Sequence, residues 1–138
     1  MSGEAIVNDI VNYLDRQPEV LAAYVFGSLA RGRFRADSDV DVAVLLAPTV
    51  GDKLARFEKR LELEIALEQQ VLRTVQVVDL ELAPPLLQHQ IRKYGILIIE
   101  KDRSRRIDQE VAARRLFLDM QPVHKQRSAA VFNRLGGS

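Results

Sequence analysis

The residues that could do chemistry crowd into Tyr24 to Leu45, YVFGSLARGRFRADSDVDVAVL, where ten residues separate Gly27-Ser28 from Asp39-Val40-Asp41. Side chains alternate faces along a strand, so Asp39 and Asp41 point one way and Val40, Val42 and Val44 the other. Two carboxylates on one face can grip one hard divalent cation or share a pair of them. A solvated strand face is the ordinary alternative for two such acids. Asp is disfavoured in strands, however, and like charges on one face repel, which a bound cation would offset. Upstream, a glycine after a strand permits a turn that other residues resist and lets backbone approach a ligand. The segment that follows reads as a short helix or a loop, and as a helix it could be capped by Ser28, leaving N–H groups free to face a phosphate. Neither GxxxxGK[ST] nor GxGxxG occurs, so the two common Gly-rich phosphate fingerprints are absent.

A third carboxylate should complete such a site. The β-branched run Thr74 to Leu80, TVQVVDL, reads as another strand and carries Asp79 at its end. A strand beside the DxD strand would bring Asp79 to the same metal. Glu81, two residues on with the same alternation, is the rival.

The segment GSLARGRFRADSDVDVAVL resembles the GSx10DxD signature of the DNA polymerase β-like nucleotidyltransferases, and VQVVDL matches the position of their third carboxylate. The small size is similar to that of the minimal nucleotidyltransferases (MNT), the antitoxin half of HEPN/MNT toxin–antitoxin pairs. The resemblance covers roughly residues 1–100. It implies a polymerase β-like palm, ATP as substrate, and a partner HEPN RNase toxin whose tyrosine receives AMP. A dimeric toxin in a hetero-oligomeric complex is consistent with that family. HEPN proteins carry an Arg four to six residues before a His, and neither His89 nor His124 has one, so the chain is not the toxin half.

For such a site the expected arrangement is two Mg²⁺ ions about 3.5–4 Å apart on Asp39 and Asp41, with Asp79 on the ion nearer the attacking group. Asp79 could also take the acceptor's proton. Gly27, Ser28 and backbone N–H groups would hold the triphosphate. Arginine grips phosphate oxygens bidentately, so of Arg31, Arg33 and Arg35 the first, nearest the turn, is the candidate clamp; a solvated basic loop is the ordinary alternative. Tyr94, before Gly95, reads as core or helix-end packing, with a nucleotide stack as the other reading, and the two histidines as helix surface.

Stepping outward, the elements alternate. A helix over residues 3–16 carries Ile6, Ile10 and Leu14, and stops before Pro18. Strands are expected at Val20 to Phe26, Ser38 to Leu46, Arg73 to Leu80 and Ile96 to Glu100, the last at a sheet edge. A long helix from about Gly51 to Gln70 presents Leu54, Phe57, Leu61 and Ile65, with Asp52 favourable at its N-terminus. Pro84-Pro85 open a helix that ends at Gly95. The tail reads as helix from Ser104 to Met120, with a weaker helix to Arg134. The fold expected is α/β (α+β): a small mixed sheet with helices against one side and a C-terminal helical tail.

At 138 residues one folding unit is expected, with about two-thirds of the unfolded surface buried. The absence of cysteine excludes disulfides, thiolate zinc sites and cysteine nucleophiles. No apolar run approaches a membrane span and no basic signal-peptide start is present, so a cytoplasmic protein without membrane contact is expected. Residues 1–100 hold 11 Lys and Arg against 15 Asp and Glu, a net −4, while residues 101–138 hold 9 against 4, a net +5. This suggests a catalytic domain over 1–100 and a basic extension over 101–138 for partner contact. Ile107, Val111, Ala113, Phe117, Leu118 and Met120 give the tail helix an apolar face for its own sheet or for a partner.

Two further readings stand beside the adenylylating antitoxin. One is a nucleotidyltransferase acting on RNA or a small molecule; nucleic acid is not favoured, since only Phe117 and Phe132 interleave the basic tail. The other is a non-catalytic antitoxin acting by steric cover.

Overall fold

The computed structural model describes residues 2–120. The elements run α1 (Gly3–Asp15), β1 (Val20–Phe26), β2 (Val40–Leu46), α2 (Lys53–Val71), β3 (Val75–Asp79), α3 (Pro85–Tyr94), β4 (Ile96–Glu100) and α4 (Arg103–Asp119), with a short 3₁₀ turn at Pro48–Val50. The strands form one sheet in the order β3-β2-β1-β4. β1 lies antiparallel to β2 and β4, and β2 runs parallel to β3 through the α2 crossover.

Each helix starts where local chemistry allows. Ser2 Oγ accepts from Ala5 N–H at 3.1 Å, Asp52 from Ala55 at 2.9 Å and Asp102 from Arg105 at 3.0 Å, each satisfying a donor the helix leaves orphaned. Pro85 opens α3 at its first turn and Gly95 follows its end.

Helices cover both faces of the sheet, not one side as the sequence suggests. On the first face Ile6, Ile10 and Leu14 of α1 and Leu63, Leu67 and Val71 of α2 pack on Val40, Val42, Val44, Leu46, Val75 and Val77. On the second, Ile91 of α3 and Leu80 pack on Tyr24 and Ala43, with Phe26, Val78 and Leu87 at the margin. The stripe expected to define α2, Leu54, Phe57, Leu61 and Ile65, lies outward and exposed. The inner face of α2 instead mixes its apolar residues with Arg56, Arg60 and Glu64, which bond to β3.

That bonding closes the sheet on the β3 side. Val77 N–H donates to Glu64 Oε1 at 2.9 Å, and Val77 C=O accepts from Arg60 Nη1 at 3.2 Å. The Val77 groups that this edge would offer to another chain are thereby occupied.

The tail helix packs on its own chain. Gln109 donates to Gln88 of α3 at 3.1 Å in a buried contact, Ala113 is buried, and the Phe117 and His89 rings stack at 3.9 Å. Arg105 pairs with Glu81 at 2.7 Å, and Arg106 with Glu100 and Glu110. Ile107, Val111 and Leu118 stay exposed. The helix expected beyond Pro122, together with His124 and Phe132, lies outside the described residues.

Candidate active site

The site is built where β1 ends and β2 begins. In the antiparallel pair Phe26 stands opposite Asp41, so the chain leaves β1 at Gly27 directly beside that carboxylate. Gly27 has φ +70°, a left-handed conformation open to glycine, and a Cβ there would overlap the Asp41 carboxylate. Gly27 and Asp41 therefore meet, with Ser28 next along the chain and Asp39 immediately ahead of β2 and exposed.

The segment after Ser28 folds as consecutive turns, the loop alternative, so Ser28 caps no helix. Arg31 N–H donates to Gly27 C=O at 3.2 Å and Arg33 N–H to Ser28 C=O at 3.0 Å. The turn therefore has no helix dipole behind it. The loop is braced from its far end, which sequence reasoning missed. Arg73 Nη1 donates to the carbonyls of Arg35 at 2.9 Å and Ser38 at 3.3 Å, and its guanidinium carbon lies 4.4 Å from the Phe34 ring centroid. Ser38 Oγ accepts from Arg35 N–H at 2.9 Å, which fixes the approach to Asp39.

Arg31 is exposed, with its guanidinium carbon 5.2 Å from the ring centroid of Tyr94. Tyr94 ends α3 and is 49% exposed, so it lies at the helix end and not in the core.

Asp79 does not join the pair. In the parallel β2–β3 register Asp79 stands beside Val44, and Asp41 stands beside Gln76. Ala43 and its partner Val78 both belong to the α3 face, whereas Val42 and Val77 both belong to the α1–α2 face. By alternation Asp41 and Gln76 share the α3 face, while Asp79 lies on the opposite one. It is also three residues further along, about 10 Å of strand. There Asp79 is 6% exposed and held by Arg56, Nε to Oδ2 at 2.8 Å and Nη2 to Oδ1 at 2.7 Å. This bidentate pair ties α2 to the end of β3. Glu81, the rival, pairs with Arg56 at 3.2 Å and with Arg105. Among the described residues no group of three or more His, Cys, Asp or Glu is placed to hold a metal.

Burial pushes the Asp41 carboxyl above its usual range, and the neighbouring Asp39 charge adds to the shift. Among the described residues no Lys, Arg or His pairs with either acid. Two crowded, uncompensated carboxylates on one face fit a single divalent cation. Among the described residues no third carboxylate joins them.

The chain belongs to the polymerase beta nucleotidyltransferase family, whose model matches residues 8–104. Its curated relatives include the protein adenylyltransferase MntA of Shewanella oneidensis. The two are 37% identical over 89 residues, 64% of this chain and 60% of the relative's length. Among solved structures, a toxin–antitoxin with AMP-PNP superposes with a TM-score of 0.67 at 26% identity, covering 88% of this chain and 98% of that one. The toxin–antitoxin MntA-HepT superposes with 0.63 at 26% identity, covering 96% and 98%. Among the described residues no helix is long and apolar enough to cross a membrane.

Proposed function

We propose that the chain is a Mg²⁺-dependent protein adenylyltransferase and antitoxin of the cytoplasm. It transfers AMP from ATP to a tyrosine of a cognate HEPN-family toxin within a hetero-oligomeric complex. The observation that carries this reading is the junction of Gly27 and Ser28 with Asp41 at the mouth of β1 and β2. The likeness to MntA and to the AMP-PNP complex supports the substrate and the partner.

In this mechanism the triphosphate lies against the Gly27-Ser28 turn, where the Ser28 hydroxyl and turn N–H groups donate to its oxygens. Asp39 and Asp41 are the residues that would hold a divalent cation, which would supply neutralisation of phosphate charge there. Arg31, at the rim, adds a positive charge for the departing pyrophosphate. The acceptor oxygen attacks the α-phosphorus and pyrophosphate leaves. Catalysis is positioning and charge stabilisation, and needs no covalent enzyme intermediate.

The test mixes the protein with labelled ATP, Mg²⁺ and the toxin encoded beside it. Label is expected on a toxin tyrosine and is expected to vanish with Asp39→Ala/Asp41→Ala. The lack of a third carboxylate favours one other reading, cover of the toxin without chemistry. Full neutralisation by the double variant would establish that reading.

A further inference from the structure

Gln76 occupies the one position on β3 that could bring a third carboxylate to Asp41. In a parallel pair the register partner on the same face is the near neighbour, about 4.8 Å away across the strands, and for Asp41 that partner is Gln76. Gln76 is exposed on the same side as Ala43 and Val78, the side that Asp79 does not face. Its side-chain amide is neutral, so it matches glutamate in shape but brings no charge and no proton-accepting carboxylate. The two remaining acids balance the charge of one divalent ion. A second ion beside it would meet no further anionic ligand among the described residues.

This bears on the acceptor. When an oxygen bonds to the α-phosphorus, its proton must go elsewhere. With one cation, which serves the triphosphate, and no nearby carboxylate base, the acceptor must ionise largely by itself. At pH 7 about one phenol in 10³ is ionised, against on the order of one in 10⁹ for a hydroxyl as weakly acidic as water.

We infer that Gln76 sets the site to one divalent cation and restricts it to phenolic acceptors, excluding alcohols. The inference rests on the proposed nucleotidyl transfer. In the step, the bond from the phenolic oxygen to the α-phosphorus forms and the bond from that phosphorus to the bridging oxygen breaks. Pyrophosphate leaves, and the phenol's proton passes to water.

The experiment counts Mn²⁺ bound per chain by electron paramagnetic resonance, with a non-hydrolysable ATP analogue present. Wild type is expected to bind one ion, and Gln76→Asp or the closer-fitting Gln76→Glu two. Two ions in wild type, or one in both variants, would overturn the inference while leaving the transferase reading intact. No ion and no nucleotide bound by wild type would instead remove the transferase reading. In a second arm, labelled AMP transfer to the toxin is compared with transfer to a toxin whose acceptor tyrosine is replaced by serine. Wild type is expected to lose at least 10³-fold on the serine; equal transfer to both would overturn the inference.

Discussion

The carboxylate of Asp41 fills the space that a side chain on Gly27 would need. Backbone conformation and metal-ligand placement are coupled there. Gly27→Ala carries a left-handed penalty of about 1–2 kcal/mol and must also displace the carboxylate. Nucleotide binding by calorimetry should weaken at least tenfold, with a melting temperature lower by only a few degrees. Unchanged binding would show that the two groups are not coupled.

The position of Asp41 should set function against stability. Its carboxyl is raised above the usual 3.8 by burial first and by Asp39 second. For a group raised in the folded chain, the stabilisation is complete below the usual value and is lost as pH climbs through the folded one. Without added cation, Asp41→Asn should therefore melt about 2–4 °C above wild type at pH 7.5. The gap should close toward pH 4. Added Mg²⁺ and nucleotide should raise the melting point of wild type and leave that of the variant unmoved.

Asp79 should behave as a structural residue. Asp79→Ala leaves the Arg56 guanidinium, 11% exposed, without its bidentate partner. Breaking a buried pair from one side costs about 3–5 kcal/mol, measurable by urea unfolding. Replacing both residues together with apolar ones should recover much of the loss. Transfer activity per folded molecule should stay within a few-fold of wild type for Asp79→Ala, while Asp41→Ala abolishes it. Loss of activity without loss of stability would return Asp79 to the site.

Arg73 should act on the loop it braces. Arg73→Ala removes two hydrogen bonds to loop carbonyls and the contact with Phe34. Each such bond contributes about 1 kcal/mol. Hydrogen exchange should quicken over residues 33–38, and KM for ATP should rise more than kcat falls. Exchange confined to wild-type rates would show that the loop holds itself.

The Gly27-Ser28 turn and the shared face of Asp39 and Asp41 were legible because each depends on residues close in sequence. The parallel β2–β3 register was not, because a nineteen-residue helix separates the strands and nothing local sets the offset. TVQVVDL offers an acid on one face and a glutamine on the other, and choosing the acid put the site on the wrong side. One signal was available: Asp79 shares its alternation with Val75 and Val77, the parity that faces α1 and α2. In α2 two apolar series compete, Leu54-Phe57-Leu61-Ile65 and Leu63-Leu67-Val71. Hydrophobicity favours the first, but the second faces inward because Arg56, Arg60 and Glu64 beside it find partners on β3.

The occupied outer rim of β3 also limits how a toxin can be gripped. With Val77 engaged by Glu64 and Arg60, an incoming polypeptide zipping on as a fifth ribbon at that border would lose both ladder bonds at its centre. Recognition there is better served by side chains, which makes it sensitive to residue identity and tunable one substitution at a time.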